Sequence, residues 1–254
     1  MVPQFSFMRF ALLVGVPHFS HAIISKPWNL ALHTGPGAEE APTNRRRACE
    51  VLGFDFDRLA CPQQVHGVKV ARVAVDVSGT VCHDRKSALA GCDGVMTDVP
   101  GVPLIAFSAD CCLLLVVDPE AHAVGLTHAG WRGVAGGAGK VLVERMKDAY
   151  GASPARMLAA IGPAAQPCCY EVSADLAREL AGLQHCGPAA LSNRAGKWYL
   201  GMQEALVGQL TRCGLSADRI ECRKECTICD KRFFSYRREG AATGRNAILA
   251  GWIR

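Results

Sequence analysis

Ser108-Ala-Asp-Cys-Cys112 through His128-Ala-Gly-Trp-Arg-Gly133 is the stretch whose reading decides the fold. Within it, CLLLVVD (112–118) is a nearly continuous apolar run with β-branched residues. Pro119-Glu120 punctuates that run, and AHAVGLT (121–127) leads back. Two short apolar runs around a turn predict a buried hairpin. With Pro119-Glu120 as a two-residue loop, Asp118 faces Ala121 and, counting outward along both strands, Cys111 faces His128. Directly opposed residues of an antiparallel pair hold their Cβ atoms about 4.5–5.5 Å apart. A thiolate and an imidazole at that separation can share a metal ion or work as nucleophile and base. The inference depends on register, because a slip of one residue turns the two side chains to opposite faces.

Outward from the hairpin, the chain alternates short apolar segments with amphipathic ones. Strands are predicted over 12–16, 59–61, 68–75, 94–97, 104–107, 156–161, 220–222 and 247–252. An irregular stretch over 17–34 carries His18, His21, His33 and Asn29, and a polar loop covers 78–87. Helices are predicted over 43–52 with Thr43 or Asn44 as N-cap and Gly53 as stop, and over 134–150 with Gly151 as stop. Two more run over 173–181, capped by Ser173, and over 202–213, stopped by Gly214. No repeat of fixed period and no Ser/Gly/Pro linker divides the chain, which favours one mixed domain over residues 1–254.

The 254 residues suffice for a sizeable core, and the 50% hydrophobic, 20% charged composition is that of a globular protein. No apolar run approaches the roughly 18 residues of a membrane span. The first sixteen residues have only Arg9 as a charge and lack a basic region before an apolar one, so they read as structure rather than as a signal peptide. The net charge of +5 is modest, with local basic clusters only at Arg45-Arg46-Arg47 and over 223–238, and does not ask for nucleic acid. Thirteen cysteines, an odd number without a signal peptide, are expected to be reduced thiols of a cytoplasmic protein, most of them small buried hydrophobes.

Four constellations can carry chemistry. His66, Cys111 and His128 each fall at a strand end or in an adjacent loop. Two imidazoles and a thiolate suit a catalytic zinc, with a fourth position for a water whose pKa the metal lowers to about 7, and copper accepts the same ligands. The plain alternative is a loop histidine and a core thiol. Cys222-Arg-Lys-Glu-Cys226-Thr-Ile-Cys229 has the spacing of an iron–sulfur motif. Too little chain follows it for that chemistry, and no second C-x2-C pair completes four zinc ligands, so it reads as partly buried thiols near a loop. Gly133-Val-Ala-Gly-Gly-Ala-Gly-Lys140 fails the P-loop spacing but leaves two readings open. It is either a small-residue helix start that holds an anion with Arg132 at its mouth, or close helix–sheet packing. Asp93 and Asp110 supply carboxylates; Asp110 should point away from Cys111 and so is not expected to ligate. Phe233-Phe-Ser-Tyr-Arg-Arg238 and Thr243-Gly-Arg245 either line a pocket for a planar, phosphate-bearing ligand or form a solvated basic loop.

Taken in order, Gln64-Val-His-Gly67, Asp93-Gly-Val-Met-Thr97, Ala109-Asp-Cys111, His128-Ala-Gly-Trp-Arg-Gly133, Cys168-Cys-Tyr-Glu-Val172, Phe233-Phe-Ser-Tyr-Arg-Arg238 and Thr243-Gly-Arg245 resemble the YfiH-type family. That family is also described as polyphenol oxidase with a laccase domain, as peptidoglycan editing factor and as purine nucleoside phosphorylase. The resemblance runs from about Val14 to the C-terminus. It implies an α+β class with mixed β-sheets packed together and helices outside, the CNF/YfiH-like cysteine hydrolase fold. It implies His66, Cys111 and His128 as catalytic metal ligands, usually for zinc. It implies phosphorolysis of adenosine, inosine, guanosine and methylthioadenosine, with adenosine deaminase activity. Asn29 and the Asn44-Arg45 pair match family elements, and Asn29, Arg45, Asp93 and Arg132 are the expected substrate-binding residues. Partners are then purine nucleosides and phosphate, without nucleic acid or membrane, and the protein is a monomer or homodimer. Two positions depart from the family. Cys112-Leu113 follow Cys111 where a proline is usual after one residue, and His18-Phe-Ser-His-Ala22 replaces a glycine-rich element.

Three other functions stay in view. One is a cysteine hydrolase of cell-wall precursor amides, with Cys111 as nucleophile and His128 or His66 as base. Another is a copper-dependent polyphenol oxidase, which the lack of paired His-x-His motifs disfavours. The last is a non-enzymatic zinc protein with four closed ligands, for which no fourth ligand is evident beside His66, Cys111 and His128.

Overall fold

The computed structural model describes residues 5–74 and 87–254. In chain order come α1 (Ala11–Val14), β1 (Phe19–Ile24), α2 (Ala41–Leu52), β2 (Val70–Arg72), β3 (Gly94–Thr97), β4 (Leu104–Ser108), β5 (Cys112–Asp118) and β6 (Ala123–Ala129). After them come α3 (Trp131–Ala135), α4 (Ala138–Tyr150), β7 (Leu158–Ile161), β8 (Glu171–Val172), α5 (Ala174–Ala181), β9 (Leu191–Arg194) and β10 (Lys197–Leu200). The chain ends with α6 (Met202–Arg212), β11 (Ile220–Cys222), α7 (Tyr236–Glu239) and β12 (Asn246–Trp252).

The apolar runs of β5 and β6 are buried at every position because both of their faces are covered. They form the centre of a six-stranded sheet, β11-β7-β5-β6-β3-β2, in which the β2–β3 and β7–β11 pairs are parallel. Cys112, Leu114 and Val116 meet Leu142 and Met146 of α4 and Leu206 and Leu210 of α6. The alternate residues Leu113, Leu115 and Val117 pack onto a second sheet, β1-β12-β4, through Ile23, Leu104 and Ile248. The outer face of that sheet carries Ala22, Ile24, Ile105 and Leu249, and α2 covers it with Ala48, Cys49 and Leu52. Two sheet layers, one mixed and one antiparallel, thus lie between helical layers, the α+β architecture expected.

The central hairpin forms, but its register is displaced by two residues. Leu113 faces His128 and Asp118 faces Ala123, so the loop spans 119–122. Asp118 is the cause. Its fully buried carboxylate accepts from the N–H groups of Glu120 (3.0 Å) and Ala121 (3.2 Å). Those amides are therefore turned into the loop, and His122 closes it in a left-handed conformation (φ 48°). The same carboxylate accepts from Ser153 N–H (2.8 Å) and from Arg156 Nη2 (3.1 Å). A displacement of two preserves the faces, so Cys111 and His128 stay on one side of the sheet although they are not directly opposed.

Other expectations need correction. Residues 12–16 belong to the short helix α1 and the bend after it, and the first strand, β1, lies inside the stretch expected to be irregular. Residues 59–61 make only an isolated bridge, Ala60 to Leu104. α2 begins at Ala41 without a side-chain cap, earlier than Thr43. The 134–150 helix is broken into α3 and α4, where Gly137 adopts φ 81° against the His185 ring. The small sheet β8-β10-β9 has no counterpart in the expected elements. Cys61 is disulfide-bonded, against the expectation of a wholly reduced chain. Val75 and nearly all of the 78–87 loop lie outside the described residues.

Removing the Asp118 carboxylate deprives four groups of their acceptor, and Asp118→Ala should lower stability by about 2–3 kcal/mol in urea unfolding. Burial raises the pKa of this group, but the amides of Ser153 and Ala121 and the Arg156 guanidinium outweigh it and hold the pKa below the usual 3.8. Its contribution is therefore complete above the ordinary carboxylate range and disappears as pH falls below it, so the difference between wild type and variant should shrink only in acid.

Candidate active site

His66 sits in a loop whose backbone is left-handed at Gln64 (φ 61°) and at His66 itself (φ 64°). Such conformations cost of order 1 kcal/mol each and need external support. Asp93 supplies it. The carboxylate is fully buried at the start of β3 and accepts from three successive amides: Val65 (3.2 Å), His66 (2.8 Å) and Gly67 (2.6 Å). Its Oδ1 also lies 3.1 Å from His128 Nδ1, and its backbone carbonyl accepts from His128 N–H at 2.9 Å. With Nδ1–H donated to a carboxylate, His128 presents Nε2 as the free nitrogen, the arrangement by which a carboxylate orients a metal-binding histidine.

Cys111 enters from the turn just before β5. Asp110, before it, takes φ 93° and is held by its backbone carbonyl accepting from Ala165 N–H (2.8 Å). Its carboxylate accepts from Thr227 Oγ1 (2.7 Å) and from Arg237 N–H (2.7 Å). Asp110 is thus a tether rather than a ligand, as its position in the sequence suggested. The resulting turn aims Cys111 Sγ at both histidines, and one donor atom from each of His66, Cys111 and His128 lies within 4.8 Å of the others. The two imidazoles meet edge-on, with centroids 5.0 Å apart and planes at 88°. Gly130 permits this convergence, because a Cβ there would stand 2.9 Å from Cys111 Sγ. His128 is buried, Cys111 half-buried and His66 exposed, so the cluster opens on the His66 side.

The electrostatics are those of a coupled thiol and imidazole. Burial opposes ionisation of Cys111, but hydrogen bonds from His128 and His66 outweigh it and bring the thiol down to about 6. Burial likewise favours a neutral His128, and the Asp93 and Cys111 partners overcome it and raise the ring to about 9. Such a set can ligate a metal through two nitrogens and one sulfur, or can act as a thiolate beside an imidazolium.

The remaining expected site residues are placed differently. Asp93 has no exposure and makes only internal bonds, so it positions His66 and His128 and does not face a substrate. Asn29 is buried; it donates to the carbonyls of Thr34 (2.7 Å) and Pro36 (3.1 Å) and accepts from Ala31 and Arg245 amides. Arg45 is also buried; its Nε donates to Leu30 carbonyl (2.7 Å) and its guanidinium lies 4.8 Å from the Phe107 centroid. These two bind the chain to itself. Arg132 is exposed on α3, stacked 4.3 Å from the Trp131 ring. The anion-holding reading of 133–140 gives way to packing: Gln209 Oε1 of α6 accepts from Gly139 N–H (2.9 Å), and Gln209 Nε2 donates to Val134 carbonyl (2.8 Å). Arg245 is the cation that sequence reasoning assigned only to a general pocket, and its charge acts on Cys111 and Asp110. Cys226 and Cys229, read as partly buried thiols near a loop with no second C-x2-C pair to complete four ligands, are joined by the adjacent pair Cys168 and Cys169.

Residues 19–253 match the family described as multi-copper polyphenol oxidoreductase laccase, and the chain belongs to that family. It is 36% identical over 226 residues to purine nucleoside phosphorylase YlmD of Geobacillus stearothermophilus, covering 88% of this chain and 82% of the relative. It is 31% identical over 220 residues to adenosine deaminase RL5 of an unknown prokaryotic organism, covering 85% and 84%. The crystal structure of the Geobacillus stearothermophilus YlmD superposes with a TM-score of 0.88 at 32% identity over 99% of this chain and 100% of that one. That of the Bacillus licheniformis hypothetical protein YfiH gives 0.85 at 28% over 94% of each. The YfiH-type resemblance and its fold are thereby borne out, and the named relatives are nucleoside-processing enzymes.

Two outcomes follow from the geometry. Asp93→Asn keeps the shape but loses the charge and one acceptor, and should weaken metal binding at His66, Cys111 and His128 by ~10–100-fold in a competition titration. In metal-stripped protein, alkylation of Cys111 by iodoacetamide should rise as pH increases through about 6, well below the usual 9.0 of a thiol, and added metal should suppress it.

Proposed function

We propose that this chain is a zinc-dependent purine nucleoside phosphorylase acting on adenosine, inosine, guanosine and methylthioadenosine, with adenosine deaminase activity, working in the cytoplasm. The observation that carries the reading is the convergence of His66, Cys111 and His128, oriented by Asp93, in a family whose named relatives process purine nucleosides. Two nitrogens and one sulfur with an open side are a donor set that zinc accepts, and a zinc ion so held supplies Lewis acidity and lowers the pKa of a water. Copper accepts these donors as well. Among the described residues, however, no second histidine-containing cluster exists to hold the several coppers of a multicopper oxidase.

The chain's own groups have definable parts in such a reaction. His128 stays fixed by the Asp93 carboxylate, so its Nε2 meets the reacting region at constant orientation. The exposed side of the cluster at His66 is where a nucleoside can enter. In phosphorolysis a phosphate oxygen attacks C1′ of the ribose while the purine leaves with the bond's electrons. The phosphate then needs a cation on the far side of the sugar from the base. Arg245, whose charge already acts on Cys111, fills that need, and exposed Arg132 offers a second.

A cysteine hydrolase is the second reading, favoured by one specific feature. Cys111, His128 and Asp93 are linked in the order nucleophile, base and orienting carboxylate. The two readings separate in one assay. Protein of known metal content is incubated with adenosine, with and without phosphate, and the products are resolved. Phosphate-dependent adenine and phosphate-independent inosine are expected, and Cys111→Ala should lose both together with the metal. If zinc-loaded protein yields neither product, the nucleoside reading is overturned in favour of the hydrolase.

A further inference from the structure

On the flank of the site, the sulfur atoms of Cys168, Cys169, Cys226 and Cys229 all lie within 4.8 Å of one another. Cys169 Sγ is 2.9 Å and Cys168 Sγ 3.6 Å from Cys229 Sγ. Four thiolates around a tetrahedral zinc, each about 2.3 Å from it, stand about 3.8 Å apart, in the middle of this range. A disulfide would use two sulfurs; this cluster gathers four, from two segments that the fold brings side by side.

Backbone bonds that need no metal shape both segments. Residues 164 and 226 form a parallel bridge, with Thr227 N–H donating to Ala164 carbonyl (3.1 Å). Beyond it, the first segment turns on Gln166, whose carbonyl accepts from Cys169 (3.0 Å) and Tyr170 (2.9 Å) amides. The second turns on Cys226, whose carbonyl accepts from Asp230 N–H (2.9 Å). Inside that turn, the carbonyls of Thr227 (2.6 Å) and Ile228 (2.8 Å) accept from Arg238 Nη1. Amides also point at sulfur. Gln166 N–H donates to Cys226 Sγ at 3.4 Å, and the amides of Ile228 and Cys229 bond to the same sulfur. A C-x2-C turn whose leading sulfur accepts amides from the following residues is arranged for a thiolate, not for a buried apolar thiol. Cys226 is buried, while Cys168 and Cys229 are exposed, which leaves a path for an ion to enter.

We propose that Cys168, Cys169, Cys226 and Cys229 form a second metal centre, a closed tetrathiolate site for a zinc ion, distinct from the His66, Cys111 and His128 cluster. With all four positions filled by sulfur, the ion has none left for substrate, so its role is structural. What it braces is specific. The two segments it joins are the ones that grip Asp110, through Ala165 N–H on its carbonyl and Thr227 Oγ1 on its carboxylate. The centre thus stiffens the turn that aims Cys111, and it stands whether or not the nucleoside reading does.

The test uses the full-length chain carrying His66→Ala and Cys111→Ala, which removes two donors of the first cluster, one of them exposed. After exchange, this variant should retain one equivalent of zinc by elemental analysis, against two for wild type. Replaced by cobalt(II), it should show intense sulfur-to-metal charge-transfer absorption and the strong visible bands of a tetrahedral tetrathiolate. Adding Cys226→Ser and Cys229→Ser should abolish both signals. A double variant that holds no metal, or whose cobalt spectrum lacks thiolate charge transfer, overturns the proposal. So does a Cys169–Cys229 disulfide found by mass spectrometry in protein purified without oxygen. The results that would overturn the proposal are all read without the serine substitutions, so the outcome does not depend on whether the serine variants fold.

Discussion

One buried carboxylate holds the candidate site together. Asp93 lies at the beginning of β3 with no exposure, and a carboxylate in that position is unfavourable unless its oxygens are fully used. They are: three consecutive amides of the 65–67 loop and the imidazole of His128 converge on them. Burial alone would raise the carboxyl's pKa, yet these donors hold it below the ordinary value. The dependence runs both ways. Without the anion, the left-handed backbone at His66 loses the acceptor of its amide, and without the amides the anion could not remain in the sheet. The 65–67 loop, Asp93 and His128 are far apart in the chain yet behave as one electrostatic unit.

The two sulfur-bearing clusters are linked by Asp110. One side of that residue leads directly to Cys111; the other is tied by Ala165, Thr227 and Arg237 to the segments carrying the four cysteines. Arg238 belongs to the same framework, since its guanidinium satisfies carbonyls of the 226–230 turn that would otherwise face one another unpaired. A segment that reads as a basic ligand-binding patch is in large part internal scaffolding. Arginine serves both ends equally well, because its five donors suit a cluster of carbonyls as readily as a phosphate.

The layered α+β fold was legible wherever a segment's own pattern decided its state. The β5 and β6 runs, α5 with its Ser173 cap and α6 all carry that signal, and each was found within two residues of its expected bounds. The hairpin register was not legible. It rests on a side chain, Asp118, competing with the ladder for the amides of Glu120 and Ala121, a contest that hydrophobic periodicity does not record. The proximity of Cys111 and His128 was legible because a two-residue displacement preserves facing, so an incorrect register still brought them to one cluster. Asp93 was expected to bind substrate, and in the structure its carboxylate receives three amides, because a residue type does not reveal which partners a carboxylate meets. The four-cysteine cluster escaped for a different reason. Its halves are an adjacent pair at 168–169 and a C-x2-C pair at 226–229, and only the parallel bridge between residues 164 and 226 shows that they are neighbours.

The position of β12 has a consequence for how the chain comes to be folded. Residues Asn246–Trp252, at the end of the sequence, form the middle strand of their sheet, between β1 near the start and β4. Until that last strand is in place, β1 and β4 have no partner along one edge, and the apolar face that packs against β5 and β6 has nothing to close it. During synthesis from the N-terminus, the ribosome must therefore release the chain through Trp252 before this layer can assemble. Pairings so distant in sequence carry a large loop-closure entropy, which makes them slow and leaves apolar strand edges exposed while the chain waits. Over that interval the unpaired edges of β1 and β4 are open to pairing with other chains, and only the arrival of β12 closes them.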